Sequence, residues 1–332
     1  MKPDELSAAK IGGGRTTDRE SRMTDGLLVY QNGRYVPEAE AAVSVFDPGV
    51  MFGYMVFDVT RTFGGVPFRL RGEWGHLERL YASMKRVGID CGMDIDAMEA
   101  ATLATIERNA GHFGDGDDYM IRQYVSNGPP PGVPGLPAEP TVVIYLQPLR
   151  EMLAPRAPFY QTGVAAQITN QRSVPARLID PKVKNTSRIY YRLAQAQAEM
   201  VDRDAWALMT DEDGFITEGP AWSFMIVQDG VLISPESRNI LLGVTRSALI
   251  DVAGEVGVPF IEKNIDAYDV INADEALFCT TSFVMLPVAT VDGHAIGTAI
   301  PGPVTDRLRA GFIAMTGVDY VAQARRFAEE LA

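Results

Sequence analysis

With 332 residues, 46% of them hydrophobic and 22% charged, the chain is long enough for one large or two medium globular domains with a sizeable core. A formal net charge of −13 argues against a nucleic-acid surface or an anionic membrane as partner, so an anionic small ligand needs a local arginine cluster or a helix N-terminus. The two cysteines, Cys91 and Cys279, offer neither a disulfide framework nor metal-ligand spacing, and no run of apolar residues is long enough to span a membrane.

Residues 1–25 are polar, contain Gly12-Gly13-Gly14 and lack the apolar centre of a signal peptide, so they read as a flexible tail and the cytoplasm is the default location. Strands at 27–30 and 34–36 flank Asn32-Gly33, a two-residue hairpin turn. A strand at 42–46 is expected next, then a turn at Phe46-Asp47-Pro48-Gly49 and a β-branched, aromatic strand from Met55 to Phe63. Gly64-Gly65 turns the chain back into Val66-Pro67. Trp74, Leu77, Leu80, Tyr81 and Met84 fall on one stripe and predict a helix over 73–86, and a second helix is expected over 95–109. Strands at 119–126 and 141–146 close an N-terminal α+β domain over 26–146, with no βαβ alternation. Three prolines mark 147–158 as the interdomain linker. A larger domain over 159–332 follows. It has strands at 163–169, 206–209, 215–217, 222–228, 231–234, 274–280 and 284–291, helices at 187–201 and 245–256, and a mostly helical tail from Pro303. Its Asp-Gly turns suggest a barrel-like or strongly curved sheet.

Chemistry concentrates in a few places. Only six lysines stand among the 30 basic residues, and two of them, Lys182 and Lys184, lie in a short extended segment before the helix at 187–201. A lysine becomes nucleophilic when burial or neighbouring cations such as Arg188 make its neutral amine accessible. Taken alone, the two lysines read as solvated loop charges. Glu218 stands at a strand end before Gly219-Pro220, and reads equally as a solvated turn carboxylate. Thr245 opens a helix whose free N–H groups and dipole could hold a phosphate, and Cys279-Thr280-Thr281-Ser282 ends a buried strand in three hydroxyls. Arg79 and His76 are neighbours on one helix, with surface charge and core packing as their ordinary roles.

Together these stretches resemble one family. Ser44 to Gly49, Val56-Phe57-Asp58-Val59-Thr60-Arg61, His76-Leu77-Glu78-Arg79-Leu80, Val183-Lys184-Asn185, Thr217-Glu218-Gly219, Gly243-Val244-Thr245-Arg246, Ala273-Asp274-Glu275, Cys279-Thr280-Thr281 and Pro301 to Thr305 occur in the order found in the class IV (fold type IV) pyridoxal-phosphate enzymes. That family includes branched-chain, D-amino-acid and (R)-amine transaminases and aminodeoxychorismate lyases.

The resemblance implies an α+β, two-domain fold with a barrel-like C-terminal domain, a homodimer, and pyridoxal 5′-phosphate bound between the domains, with no metal. It assigns the Schiff-base lysine to Lys184 and the carboxylate at the pyridine nitrogen to Glu218. It places the phosphate cup at Arg79, Val244, Thr245 and Thr281, a further cofactor contact at Thr280, and substrate contacts at Phe52, Phe57, Arg61, Arg122 and Ser282, with Arg61 or Arg122 as carboxylate anchor. The implied reaction is ping-pong transfer of an amino group from a small-molecule donor to a 2-oxo acid. Phe57-Asp58-Val59-Thr60-Arg61 departs from the Phe-Glu-Gly-x-Arg of branched-chain enzymes, and Arg188-Ile189 stand where those have Asn-Tyr. Ser126-Asn127-Gly128-Pro129 lacks an arginine that D-amino-acid and (R)-amine members often place there, and Ser223 replaces a common Asn. The Asp180-to-Asn185 and Cys279-to-Thr281 segments are similar to (R)-amine transaminases. A D-amino acid or (R)-amine donor is therefore the expectation, with an L-branched-chain donor or an aminodeoxychorismate lyase as alternatives.

Overall fold

The computed structural model describes residues 26–114 and 116–332, and the expected tail at 1–25 lies outside them. The first hairpin pairs β1 (Leu28–Gln31) with β2 (Arg34–Pro37), and Asn32 and Gly33 both take the positive φ that its tight turn requires. The strand expected at 42–46 does not form. Asp47 instead accepts a hydrogen bond from Gly49 N and caps a short helix, α1 (Pro48–Phe52). The same carboxylate, fully buried, accepts from the hydroxyls of Ser126 and Thr141.

β3 (Val56–Phe63) is buried along its whole length and turns through Gly64-Gly65 into β4 (Val66–Pro67). Helix α2 (His76–Val87) starts three residues later than expected, because Gly75 is its N-cap and Trp74 sits at a φ of 61°. Helix α3 (Ile95–Asn109) is capped by the Asp94 side chain, and β5 (Tyr119–Ser126) and β6 (Thr141–Pro148) complete an antiparallel sheet of order β2-β1-β6-β5-β3-β4. Period-two alternation gives this sheet two different faces. Val56, Ile121, Val125 and Ile144 pack against Leu77, Leu80, Met84 and Met98 of the two helices. Phe57 and Tyr124 point the other way and stack, with Tyr145 next in the row.

The residues expected as a linker are packed against the core. β6 runs to Pro148, the short helices α4 (Arg150–Leu153) and α5 (Phe159–Thr162) follow, and Leu149, Leu153, Ala154 and Ala157 are buried. Apolar residues between the prolines have a core to join, so the connection folds onto it.

The second sheet begins with β7 (Val164–Ile168), and helix α6 (Ile189–Val201) leads to β8 (Trp206–Leu208). The hairpin of β9 (Ser223–Gln228) and β10 (Val231–Ser234) precedes helix α7 (Val244–Glu255). β11 (Phe260–Glu262) and helix α8 (Ala267–Ile271) were not expected, being too short to show a period. β12 (Glu275–Thr280), β13 (Val284–Val291) and β14 (His294–Ala295) lead to helices α9 (Pro303–Thr316) and α10 (Tyr320–Leu331). The strands run β11-β10-β9-β12-β13-β7-β8, with β14 on β13, and mix parallel with antiparallel pairs. The strand expected at 215–217 is only a bridge, Thr210 to Ile216, but Ile216 N donates to Ile265 O beyond β11. Residues 209–218 thereby span much of the gap between the two ends of the sheet, which is the curvature that the Asp-Gly turns suggested. Sheets and helices are mixed in two domains, an α+β fold.

Candidate active site

Lys184 stands where the two domains meet. Its segment continues the first sheet in miniature: Asn185 bridges to Val56, Phe57 N donates to Lys184 O at 3.0 Å, and Thr186 N donates to Met55 O. Lys184 N donates to Ser83 Oγ at 3.2 Å, pinning the segment to α2. The neighbouring lysine goes elsewhere, for Lys182 pairs with Asp180 at 3.3 Å in a partly exposed setting. Lys184 Nζ instead lies 4.9 Å from the centre of the Phe57 ring. Burial, then the charges of Arg79 and Arg188, pull its ammonium down to about 7 against the opposing pull of Asp58 and Glu218. Neutral amine is accessible at physiological pH.

Arg79 reaches the same cavity from α2, one turn after His76. Its Nε and Nη2 donate to the two oxygens of Asp58 at 2.8 and 2.7 Å, and Nη1 donates to Leu242 O at 2.9 Å. Asp58 is fully buried and also meets His76 Nδ1 at 2.7 Å. Burial alone would raise the Asp58 carboxyl, but Arg79 and His76 overcome it and hold the group well below the usual range. His76 is itself lowered, chiefly by burial. The expected core histidine is thus a wedge that helps to orient the arginine.

At the other end, Glu218 is 5% exposed and is held by two donors: Tyr191 Oη to Oε1 at 2.6 Å, and Leu241 N to Oε2 at 3.2 Å. Burial raises its pKa, while Tyr191 and Arg188 oppose the rise. Opposite lies the start of α7. Gly243 caps it without a side chain, and a Cβ there would come within 3.0 Å of Ser223 Oγ. The first-turn N–H groups of a helix have no partner within the helix, so those of Val244 and Thr245 are available to an anion. Both residues line the cavity with Arg79, Thr280 and Thr281, and Thr280 Oγ1 is turned to Ala221 O at 2.7 Å.

One cavity therefore gathers Lys184, Glu218, Arg79, Val244, Thr245, Thr280 and Thr281. Phe57 lies outside the lining but packs beside Lys184. Arg122 lies outside the lining, on the face of β5 that carries Tyr124, and its Nε donates to Gln147 at 3.2 Å. Phe52 sits 71% exposed on α1. The carboxylate anchor considered at Arg61 needs correction: its side chain is fully buried away from the cavity, donating to Ser282 O and Gln323 Oε1 at 2.6 Å each and to Thr62 O at 3.3 Å. Ser282 likewise presents its carbonyl to Arg61 rather than its hydroxyl to the cavity. Tyr191 and the cavity-lining place of Arg188 were missed. Their i, i+3 spacing at the start of α6 was the available signal, since such residues share a face.

Residues 55–291 match the sequence profile of the family described as amino-transferase class IV. A putative branched-chain-amino-acid aminotransferase of Methanocaldococcus jannaschii is 32% identical over 86% of this chain and 95% of its own length. D-alanine aminotransferase of Bacillus licheniformis is 27% identical over 85% of this chain and 95% of its own. The crystal structure of the branched-chain aminotransferase from Thermoproteus uzoniensis with norvaline superposes with a TM-score of 0.75, at 28% identity, over 88% of this chain and 95% of that one. The chain belongs to the class IV aminotransferase family. Its two-domain architecture is that of the fold type IV aminotransferases.

Proposed function

We propose that this enzyme transfers an amino group from a small-molecule donor to a 2-oxo acid, using pyridoxal 5′-phosphate held in the Lys184 cavity. The observation that carries it is one cavity holding three separate functions: an amine brought to about 7, a buried carboxylate, and an anion site at a helix start. When bound, the cofactor supplies an aldehyde that captures amines and a protonated ring that accepts electrons from the donor's Cα–H bond. Lys184 would hold the cofactor's aldehyde carbon through its neutral amine, and its Nζ, once displaced by the donor's amine, would be the base that moves the proton at the donor's Cα. Glu218, kept in place by Tyr191 and Leu241 N, holds a proton at the ring-nitrogen end. Arg79, the Val244 and Thr245 N–H groups and Thr281 grip the phosphate. Phe57, backed by Tyr124 and Tyr145, shields the amine from water, and Arg122 at the far end of that row is the carboxylate anchor.

A D-amino acid or (R)-amine is the first donor class, supported by the Asp180–Asn185 and Cys279–Thr281 segments and by the D-alanine aminotransferase relative. An L-branched-chain donor is the second, supported by the 32% identical relative. We further propose a homodimer in the cytoplasm. Val45, Phe46, Val50, Met51 and Phe52 form an exposed apolar run at α1, suited to cover by a second copy. No helix among the described residues is long and apolar enough to cross a membrane.

Half-reactions of the cofactor-soaked protein with L-leucine, D-alanine, D-glutamate and (R)-1-phenylethylamine, followed by visible absorbance, test the assignment. Bleaching by the D- or (R)-compounds is expected, and bleaching by L-leucine alone would exchange the first donor class for the second. Lys184→Ala is expected to lose at least about a hundredfold in turnover. A variant as fast as the parent contradicts the proposal, and pyruvate released from aminodeoxychorismate without an acceptor would replace transfer by elimination.

A further inference from the structure

We infer that Arg188 faces the ring edge that carries the cofactor's 3-hydroxyl, and holds that oxygen as an anion. The chemistry of the ligand sets the question. On the pyridoxal ring the aldehyde stands para to the nitrogen, and the phosphate arm and the hydroxyl flank the aldehyde on opposite sides. The cavity supplies a residue for three of these positions: Lys184 for the aldehyde, Glu218 for the nitrogen, and the α7 start with Arg79 for the phosphate. The hydroxyl edge must then lie between Lys184 and Glu218 on the side away from that cup.

Arg188 occupies this corner. Its guanidinium lies 4.3 Å from the ring of Tyr191, whose hydroxyl bonds Glu218, and 5.6 Å from the ring of Phe57, which Lys184 Nζ overlies. It thus borders the neighbours of both the amine and the carboxylate. Its Nη2 donates to Pro220 O at 3.1 Å, and among the described residues this is the only hydrogen bond of the side chain. No carboxylate forms an ion pair with it among those residues, although its side chain is partly buried and lines the cavity. A partly desolvated cation with N–H groups left over favours an anion beside it. A phenolic oxygen on the ring edge answers both the charge and the unused donors.

The inference presupposes the cofactor assigned above, and the test separates the two. The probes are 4-deoxypyridoxine 5′-phosphate, which has no aldehyde to condense with Lys184, and the same molecule lacking its 3-hydroxyl. Affinity is read from quenching of intrinsic tryptophan fluorescence, since Trp222 lines the cavity. Arg188→Gln should weaken the hydroxylated probe about tenfold and leave the other within about twofold, with Arg188→Lys recovering part of the loss. Should Arg188→Gln fail to fold, the Arg188→Lys variant makes the same comparison. Equal weakening of both probes, or of neither, overturns the role of Arg188 while leaving the cofactor assignment intact. The second case would leave substrate carboxylate as its partner. Failure of the parent protein to bind either probe overturns both.

Discussion

Arg61 and Arg188 both lie where the N-terminal sheet meets the C-terminal domain, yet they do opposite things. Arg61 Nε, Nη1 and Nη2 each donate to a protein oxygen, and the acceptor Gln323 is tied in turn to Asp118 at 2.8 Å. Asp118 completes the knot by accepting from Thr62 Oγ1, Gly64 N and Gly65 N. The Arg188 guanidinium has one hydrogen bond among the described residues and an open cavity before it. A motif arginine can meet a ligand only if its side chain lines the cavity, as those of Arg79 and Arg188 do and that of Arg61 does not, and for Arg61 that is decided by partners hundreds of residues away. A knot whose members satisfy one another joins the domains, while a corner with donors to spare takes a ligand.

The comparison can be broken at the knot first. Arg61→Met should lower unfolding stability by about 3 kcal/mol, since it leaves Gln323 and Ser282 O without their buried partner. Denaturant melts would read this, with KM for the donor unchanged. A raised KM at unchanged stability would return Arg61 to the substrate. A smaller effect is expected beside the cavity. Tyr191→Phe removes a donor that favours the ionised form of Glu218, so the Glu218 pKa should rise further. Activity that needs the carboxylate then fails at a higher pH on the acid side, and kcat/KM should fall about tenfold. A profile identical to the parent's would make Tyr191 a packing residue only.

Much of the fold was legible because its signals are local. Asn32-Gly33 dictates its own turn, and the stripe from Leu77 to Met84 dictates a buried helix face. The strand expected at 42–46 failed because Asp47 found distant hydroxyls, Ser126 and Thr141, that hold it as a helix cap. The packed segment at 149–158 depends in the same way on a core supplied by the other domain. In the site, Lys184, Glu218 and the α7 start could be named from their motifs. Neither the Tyr191–Glu218 bond nor the enclosure of Arg61 could be named, because each is set by tertiary contact alone.

The central claim is that Lys184 carries a substantial fraction of neutral amine near neutral pH because burial, Arg79 and Arg188 disfavour its charge. Its pH-dependent acetylation by acetic anhydride in the cofactor-free protein, quantified by mass spectrometry of the peptide, measures this directly. The partly exposed neighbour Lys182 serves as control. Half-maximal reactivity of Lys184 at about pH 7 is predicted, and titration close to the ordinary lysine value of 10.5 would contradict the account.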